Sequence, residues 1–416
     1  MSNIGVNSNT ESYTLTSLQK TEVTDPYTYN LEQNYPNGSL QWVKLNPTVG
    51  PTINNPHGSN FRVEVPKYQL IRYIFVRTLI TTTGGDNAIQ DTNEVGKKLY
   101  SKINLTINGN IISTVDSYYT QIRARNAGFS HSATVSMLSN PNLSVPTSQV
   151  TTFTAAGTVS VCTPLYEWFQ EQTQSYYDSS FCEKMNFDFT VAPITDMGLA
   201  AAFTTIQPEV WVSYRFLSNE ALSAYEANNF GPQKPLTMLI YNKFTEVSQQ
   251  LIGTSTTMNL KCNYPVFNTH FFEVETSVAN TTTPAGLGAV TPVESSTITD
   301  VTLTLSGLPV MQNLPISVLM YDESRQDKAS ILCTQSGALS RTTTRQGPFS
   351  IAYGEWSGKD RTFNSHSLSL GNTGQPQLIV GHTAATGTAY LVCVHEYWMF
   401  LNIDPINGRV NITSSI

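Results

Sequence analysis

The chain repeats itself, and that constrains its fold more than any single motif. Asn60-Phe61-Arg62-Val63-Glu64-Val65-Pro66 overlays Asn259-Leu260-Lys261-Cys262-Asn263-Tyr264-Pro265 at an offset of 199, with Asn and Pro identical and the basic residue kept in type. At the same offset Leu40-Gln41-Trp42-Val43-Lys44-Leu45 overlays Leu239-Ile240-Tyr241-Asn242-Lys243-Phe244. Leu105-Thr106-Ile107-Asn108-Gly109 overlays Leu303-Thr304-Leu305-Ser306-Gly307 at 198, and Arg215-Phe216-Leu217-Ser218-Asn219 resembles Met399-Phe400-Leu401-Asn402 at 184. Four matches in one order argue for two tandem units of like fold. The alternatives are one large sandwich or a multi-blade array, and blade periods of about 40–50 residues are not visible. The shrinking offset places an insertion in the first unit, between Ala127 and Val161. The units then run over 38–218 and 236–406, joined by a polar linker at 219–235. An Asn-, Ser-, Thr- and Tyr-rich arm, 1–37, precedes them and reads as a segment ordered by contact with something else. A tail, 407–416, follows them.

Each unit reads as mostly β. The chain has 53 Thr in 416 residues, and β-branched side chains lose freedom in helices but pack well on a pleated surface. Short alternating runs recur between Gly, Pro, Asn and Ser clusters. Phe61, Val63 and Val65 alternate with Arg62 and Glu64, and Ile103, Leu105 and Ile107 with Asn104, Thr106 and Asn108. Phe187 and Phe189, then Val210, Val212 and Tyr214, then Val301, Leu303 and Leu305, follow the same rule. Each run predicts a strand with one dry and one wet face. The helix candidates are Asp116–Ala127, Pro164–Tyr177 and Ser218–Asn228.

Composition excludes several classes of function. Only 13% of residues are charged, against about 25% in an ordinary globular domain. The net charge is −7 and the pI about 5.4, with no Lys/Arg cluster, which argues against coating or reading nucleic acid by neutralising phosphates. An apolar content of 40% supports a substantial core and a folded chain. No window approaches 18 consecutive apolar residues, so no membrane span is expected. Met1–Lys20 lacks a basic start and an apolar centre, so no signal peptide is expected. Cysteines at 162, 182, 262, 333 and 393 are too widely spread for a disulfide scaffold or a short-spaced metal motif, and read as ordinary buried thiols.

The search for chemistry is nearly empty, and no catalytic, cofactor-binding or metal-ligating residue is assigned. His57, His131, His270, His366, His382 and His395 are scattered, with no pair at helical metal spacing. His395 and Glu396 are adjacent, and neighbours on a strand face opposite ways. Glu167 and Glu171 share a helix face, read as solvated. Gly381–Thr388 lacks the Gly-Lys-Ser/Thr end of a phosphate loop and reads as a hairpin connection. There is no Gly-x-Ser-x-Gly elbow. Asp322, Glu323 and Asp327 with Arg325 lack the Gly and closing Glu of a calcium loop and read as a polar turn between strands. Arg72-Tyr73-Ile74-Phe75-Val76-Arg77 interleaves base and aromatic on a strand read as core plus edge. Asn-x-Ser/Thr triplets at 37, 104, 142, 280 and 411 are what this composition produces by itself.

Two like β-units, a polar arm, the passage Ile103-Asn104-Leu105-Thr106-Ile107-Asn108-Gly109 with Ile111-Ile112 and the helix candidate from Asp116, and no active-site signature together resemble the double jelly-roll major capsid proteins. These form the lineage of adenovirus hexons and tailless lipid-containing phages. The resemblance implies an all-β fold of two tandem eight-stranded jelly-roll sandwiches with a few short helices in loops. It implies homotrimeric, pseudo-hexagonal capsomers tiling an icosahedral virus shell around an internal membrane, with neighbouring capsomers and minor capsid, vertex and membrane proteins as partners. It further implies a virion location, no enzyme activity and no cofactor. Carried onto this chain, 1–37 faces the shell or its interior, and 127–161 and 279–297 are candidate outer or contact loops. Two other readings fit parts of the pattern. A single-jelly-roll capsid or spike protein with a projecting β-domain would lack the ordered matches between halves. A carbohydrate-binding β-sandwich would need clustered aromatics, whereas Trp42, Trp168, Trp211, Trp356 and Trp398 are spread one per region.

Overall fold

The computed structural model describes residues 39–67, 70–82, 95–126, 157–171, 177–179, 184–197, 202–221, 223, 236–275, 297–323, 349–353, 367–372, 374–383, 389–403 and 410–413. The arm 1–37, most of the linker, loop 279–297 save its last residue, His131, His366, Trp356, Cys182 and Cys333 lie outside the described residues.

The first half contributes β1 (Ser39–Leu45), β2 (Ile53–Asn54), β3 (Asn60–Val65), β4 (Leu70–Thr82), β5 (Tyr100–Ile107), β6 (Asn110–Asp116), β7 (Gly157–Pro164), β8 (Tyr177–Asp178), β9 (Met185–Val191) and β10 (Thr205–Phe216). The second contributes β11 (Leu236–Gln250), β12 (Ser255–Asn259), β13 (Pro265–Glu275), β14 (Ile298–Leu305), β15 (Leu308–Pro315), β16 (Phe349–Ala352), β17 (Leu368–Ser369), β18 (Gln377–His382), β19 (Ala389–Ile403) and β20 (Val410–Thr413). Two helices occupy like places, α1 (Ser117–Asn126) after β6 and α2 (Ile316–Glu323) after β15.

The sheet orders give the architecture. In the first half β1-β10-β4-β7 faces β3-β9-β5-β6, and in the second β11-β19-β13-β16 faces β12-β18-β14-β15, all antiparallel. Position by position the two orders are the same, so each half has an eight-stranded jelly-roll frame, to which short strands add, β2 and β8 in the first half and β17 and β20 in the second. The period-2 pattern builds each core. Phe61, Val63 and Val65 point in while Arg62 and Glu64 point out, and Ile103, Leu105 and Ile107 pack with Phe187, Phe189, Val210, Val212 and Tyr214.

The β5–β6 and β14–β15 hairpins show the duplication residue by residue. Asn108-Gly109 and Ser306-Gly307 close two-residue turns with φ of 48° and 87°, and of 50° and 77°. Positive φ at both central residues belongs to the type I′ turn, whose twist matches that of paired strands. The same bulge follows: the register slips between Leu105 and Thr106 and again between Leu303 and Thr304. The partners make Ile112 and Val310 the extra residues, 198 apart, like the turns. The second hairpin carries one further slip, beside Asn313 at φ 46°.

Elsewhere the structure departs from what the sequence predicts. The match of 60–66 to 259–265 is out of register. Topology pairs β3 with β12, and Asn259 ends β12, so 260–264 connects it to β13. Alternating Thr-rich strands resemble one another, and the turn from β11 into β12 is shorter than the passage from β1 to β3, which shifts the true offset. The segment read as a tail supplies β20, paired with β19. Gly381–Thr388 does not close a hairpin, because β18 and β19 lie in different sheets. Asp322 and Glu323 end α2 instead of forming a turn. The strand holding Arg72–Arg77 is interior to its sheet, between β10 and β7.

An alanine Cβ at Gly109 or Gly307 would meet no atom within 4 Å, so the cost of substitution there is conformational. Gly109→Ala and Gly307→Ala are each expected to lower stability by about 1–2 kcal/mol, the penalty of a left-handed non-glycine residue. Chemical denaturation checks this, and unchanged midpoints would contradict the assignment of the turn.

Candidate assembly surfaces and the seam between the rolls

The polar contacts with most consequence lie where the rolls meet. Asp116 ends β6 and caps α1, its Oδ1 accepting from the Tyr119 amide at 2.7 Å. That cap aims the helix at the second roll. The Tyr119 hydroxyl donates to Glu396 Oε1 at 2.9 Å, Asn268 Nδ2 donates to Glu396 Oε2 at 3.1 Å, and His270 Nε2 lies 3.4 Å from the same oxygen. Tyr119, Asn268 and Glu396 have no exposure and His270 almost none. Lys243, also buried, donates from Nζ to the Tyr166 carbonyl at 2.9 Å and sits 4.9 Å from the centre of the Tyr119 ring. Asn242 donates to the Ile112 carbonyl at 2.6 Å, Thr245 donates to Asp116 Oδ2, and the Tyr118 and Phe272 rings lie 5.8 Å apart. Above these contacts is a cleft of about 430 Å³, lined by Ser101, Lys102, Ile111 and Thr114 from one roll and Phe244, Tyr264 and Tyr397 from the other.

Electrostatics at the seam follow from lost water. Asp116 is half-buried, and desolvation pushes its carboxyl above the usual range against the opposing pull of the Thr245 hydroxyl, the helix amides and Lys243. Within the second roll His395, fully buried, lies with Nδ1 2.8 Å from Thr269 Oγ1 and Nε2 3.0 Å from Glu246 Oε1. Glu246 also accepts from the amides of Lys261 and Cys262. His395 and Glu396 therefore serve two different clusters on opposite sheet faces. His57 and His382 are likewise bonded, to Ala192 and Phe203 and to Thr256. Cys262 and Cys393 are buried free thiols and Cys162 is half-buried. Among the described residues no group of three or more His, Cys, Asp or Glu is placed to hold a metal ion, and no helix is long and apolar enough to cross a membrane. Glu167 does not lie on a solvated helix face but is fully buried.

The sequence reading missed an aromatic face. Strand pairing brings Trp42, Tyr73, Phe75 and Trp211, distant in the chain, onto the outer face of the β1-β10-β4-β7 sheet. The Trp42 and Phe75 rings meet edge to face at 5.5 Å. Lys44 and Arg77 flank Glu209 on this face, and Lys44 with Trp211 holds the Glu209 carboxyl below its ordinary value despite partial desolvation. The signal existed in the sequence as i, i+2 pairs (Tyr73 and Phe75, Trp42 and Lys44), but only the register places them together.

No family model matches the chain, and no curated protein sequence matches it. Solved structures do. The chain is similar to the capsid of PBCV-1 at a TM-score of 0.67 and 13% identity, covering 92% of this chain and 98% of that one. It is similar to the Faustovirus major capsid protein at 0.56 and 10%, covering 95% and 98%, and to the STIV MCP at 0.53 and 10%, covering 87% and 97%. The class defined by the four sheets and these likenesses is the double jelly roll, the fold of those viral major capsid proteins.

Tyr119→Phe removes one donor from a buried carboxyl, and an expected loss of about 1–3 kcal/mol is read from the denaturation midpoint. Asp116 gives a pH dependence. A carboxyl raised above its ordinary value of 3.8 in the folded state binds more protons there than in the unfolded chain. Its contribution to stability is therefore full below the unfolded value and is lost as pH rises through the folded one. Asp116→Asn removes that loss, so the variant's stability is expected to fall less than the wild type's as pH rises from about 4 to 7. Parallel slopes in a pH series of denaturation curves would refute this.

Proposed function

We propose that this chain is a non-enzymatic major capsid protein, built as rolls 38–218 and 236–406 with a linker 219–235 and an arm 1–37. It forms homotrimers whose six rolls give a pseudo-hexagonal capsomer, and the capsomers tile an icosahedral shell in the virion around an internal membrane. Its partners are other copies of itself and minor capsid, vertex and membrane proteins of the particle.

The observation that carries this reading is the whole-chain double-roll likeness to capsid proteins, spanning 92% of this chain and 98% of the PBCV-1 chain. The surface chemistry supports it. With 13% charged residues and many short hydroxyl side chains, the exterior suits extensive repeated contacts, in which affinity comes from summed area and closed symmetry.

Light scattering on the eluting protein tests the reading. A stable species of three times the 45.9 kDa chain mass is expected. A monomer retained on an immobilised glycan column would replace it with the carbohydrate-binding alternative, for which the aromatic face around Trp42 would be the natural platform.

A further inference from the structure

Protein interiors pack to the density of organic crystals, and a contact made inside one chain can do the same. The seam between the rolls is filled at its floor and open above it, where the cleft of about 430 Å³ lies. That volume falls in the range of small-molecule sites, roughly 300–1,000 Å³. Both rolls supply its apolar walls. Ile111 on β6 stays 55% exposed and Phe244 on β11 37% exposed, although both line the cleft. The aromatic rings are braced by their neighbours. Phe244 stacks on the buried His395 imidazole at 6.4 Å, and Tyr264 stacks on Tyr397 at 4.1 Å with the planes 8° apart. Rings held in this way lose little freedom when a flat apolar group settles on them.

The polar groups lining the cleft are, with one exception, already committed. Asp116 accepts from the Tyr119 amide and the Thr245 hydroxyl, Lys243 donates to the Tyr166 carbonyl, and Asn242 donates to the Ile112 carbonyl. The Ser101 hydroxyl donates to the Thr190 carbonyl at 3.3 Å, and that of Thr114 to Asn104 Oδ1 at 2.9 Å. A sugar needs several convergent partners for its hydroxyls, and this lining has few left to offer. The exception is Lys102. It lines the cleft and is exposed, and no described side chain bonds to its ammonium. Its cross-strand neighbour Asp116 gives its oxygens to Thr245 and Tyr119 instead. Apolar walls with one uncommitted cation suit a ligand that is mostly apolar and carries one negative charge.

We propose that the cleft between the rolls binds a small amphipathic anion, an aromatic or aliphatic group bearing a single carboxylate. Its apolar body lies between Ile111 and Phe244 against Tyr264, and its carboxylate meets Lys102. One chain supplies the whole site, so the proposal goes beyond the capsid reading and does not depend on it. A ligand held there touches both rolls and ties them together.

Naphthoate is the probe, with naphthalenemethanol, a neutral alcohol of nearly the same shape, as its control. Calorimetric titration of the full chain is expected to show one naphthoate per chain and about fivefold weaker binding of the alcohol, the upper end for an exposed ion pair. Lys102→Met keeps the apolar stem and removes the charge. It is expected to weaken naphthoate by that factor and leave the alcohol unchanged, a split that a merely structural role would not produce. Ile111→Ala and Phe244→Ala are each expected to weaken both compounds. Circular dichroism checks folding, and Ile111, the more exposed of the two, keeps the test open if Phe244→Ala does not fold. Trp42→Ala, on the first roll's other sheet, is expected to change neither affinity. Naphthoate is also expected to raise the thermal midpoint of the wild type as its concentration rises. Absence of binding at millimolar naphthoate, equal affinity for acid and alcohol, or binding that is lost in Trp42→Ala and kept in Ile111→Ala overturns the site. None of these outcomes alters the mass read by light scattering, so the capsid reading stands or falls separately.

Discussion

The Glu396 carboxyl has no contact with solvent, and one of the polar groups that bond it comes from the other roll, 277 residues away. A carboxyl taken out of water costs several kcal/mol unless hydrogen bonds replace the lost hydration. Here the second roll supplies Asn268 and His270, and the first supplies the Tyr119 hydroxyl, delivered by a helix that Asp116 caps. The second roll's sheet is therefore electrostatically complete only with the first roll in place. This couples their positions, and the relative placement of all remaining surface follows from it.

Much of the fold could be read from the sequence because its signals are local. Two-residue turns that demand positive φ stand out as Asn-Gly and Ser-Gly between alternating runs, whereas the bulge behind each is visible only in the strand register. Alternation gave the buried faces of β3, β5, β9 and β10 for the same reason: strand periodicity depends on the residue and its neighbours alone. Register across distant strands has no such signature. That is why alternation alone overlays Asn60–Pro66 on a connecting segment, and reads Arg72–Arg77 as core plus edge although the strand lies between two others.

The seam was illegible for a related reason. Nothing near Glu396 in the chain distinguishes it from a carboxylate on a wet strand face, and Glu167, fully buried, likewise has nothing beside it in the chain that marks its burial. Burial of a charged side chain is a property of what packs on top of it, and here that covering comes from another element or another roll. The aromatic face posed the inverse problem. Its members are spread through the sequence, and strand pairing alone brings Trp42 beside the Phe75 and Trp211 pair.

The outer faces of the equivalent sheets β1-β10-β4-β7 and β11-β19-β13-β16 differ chemically. A contact inside one chain forms once, during folding, and can bury a polar network because its halves are never separated. That suits the Tyr119–Glu396–His270 cluster and the Asp116 carboxyl held by Thr245 and the Tyr119 amide, which would be costly to expose and reform. A contact between chains must leave both halves stable in water beforehand. Apolar side chains with charges already paired in cis, such as Leu40 and Trp42 beside Lys44 and Glu209, meet that requirement. The low charge of the sequence then has a location as well as a value. The strand β15 carries no charged side chain, and its bulge residue Val310 is exposed where the equivalent Ile112 is buried.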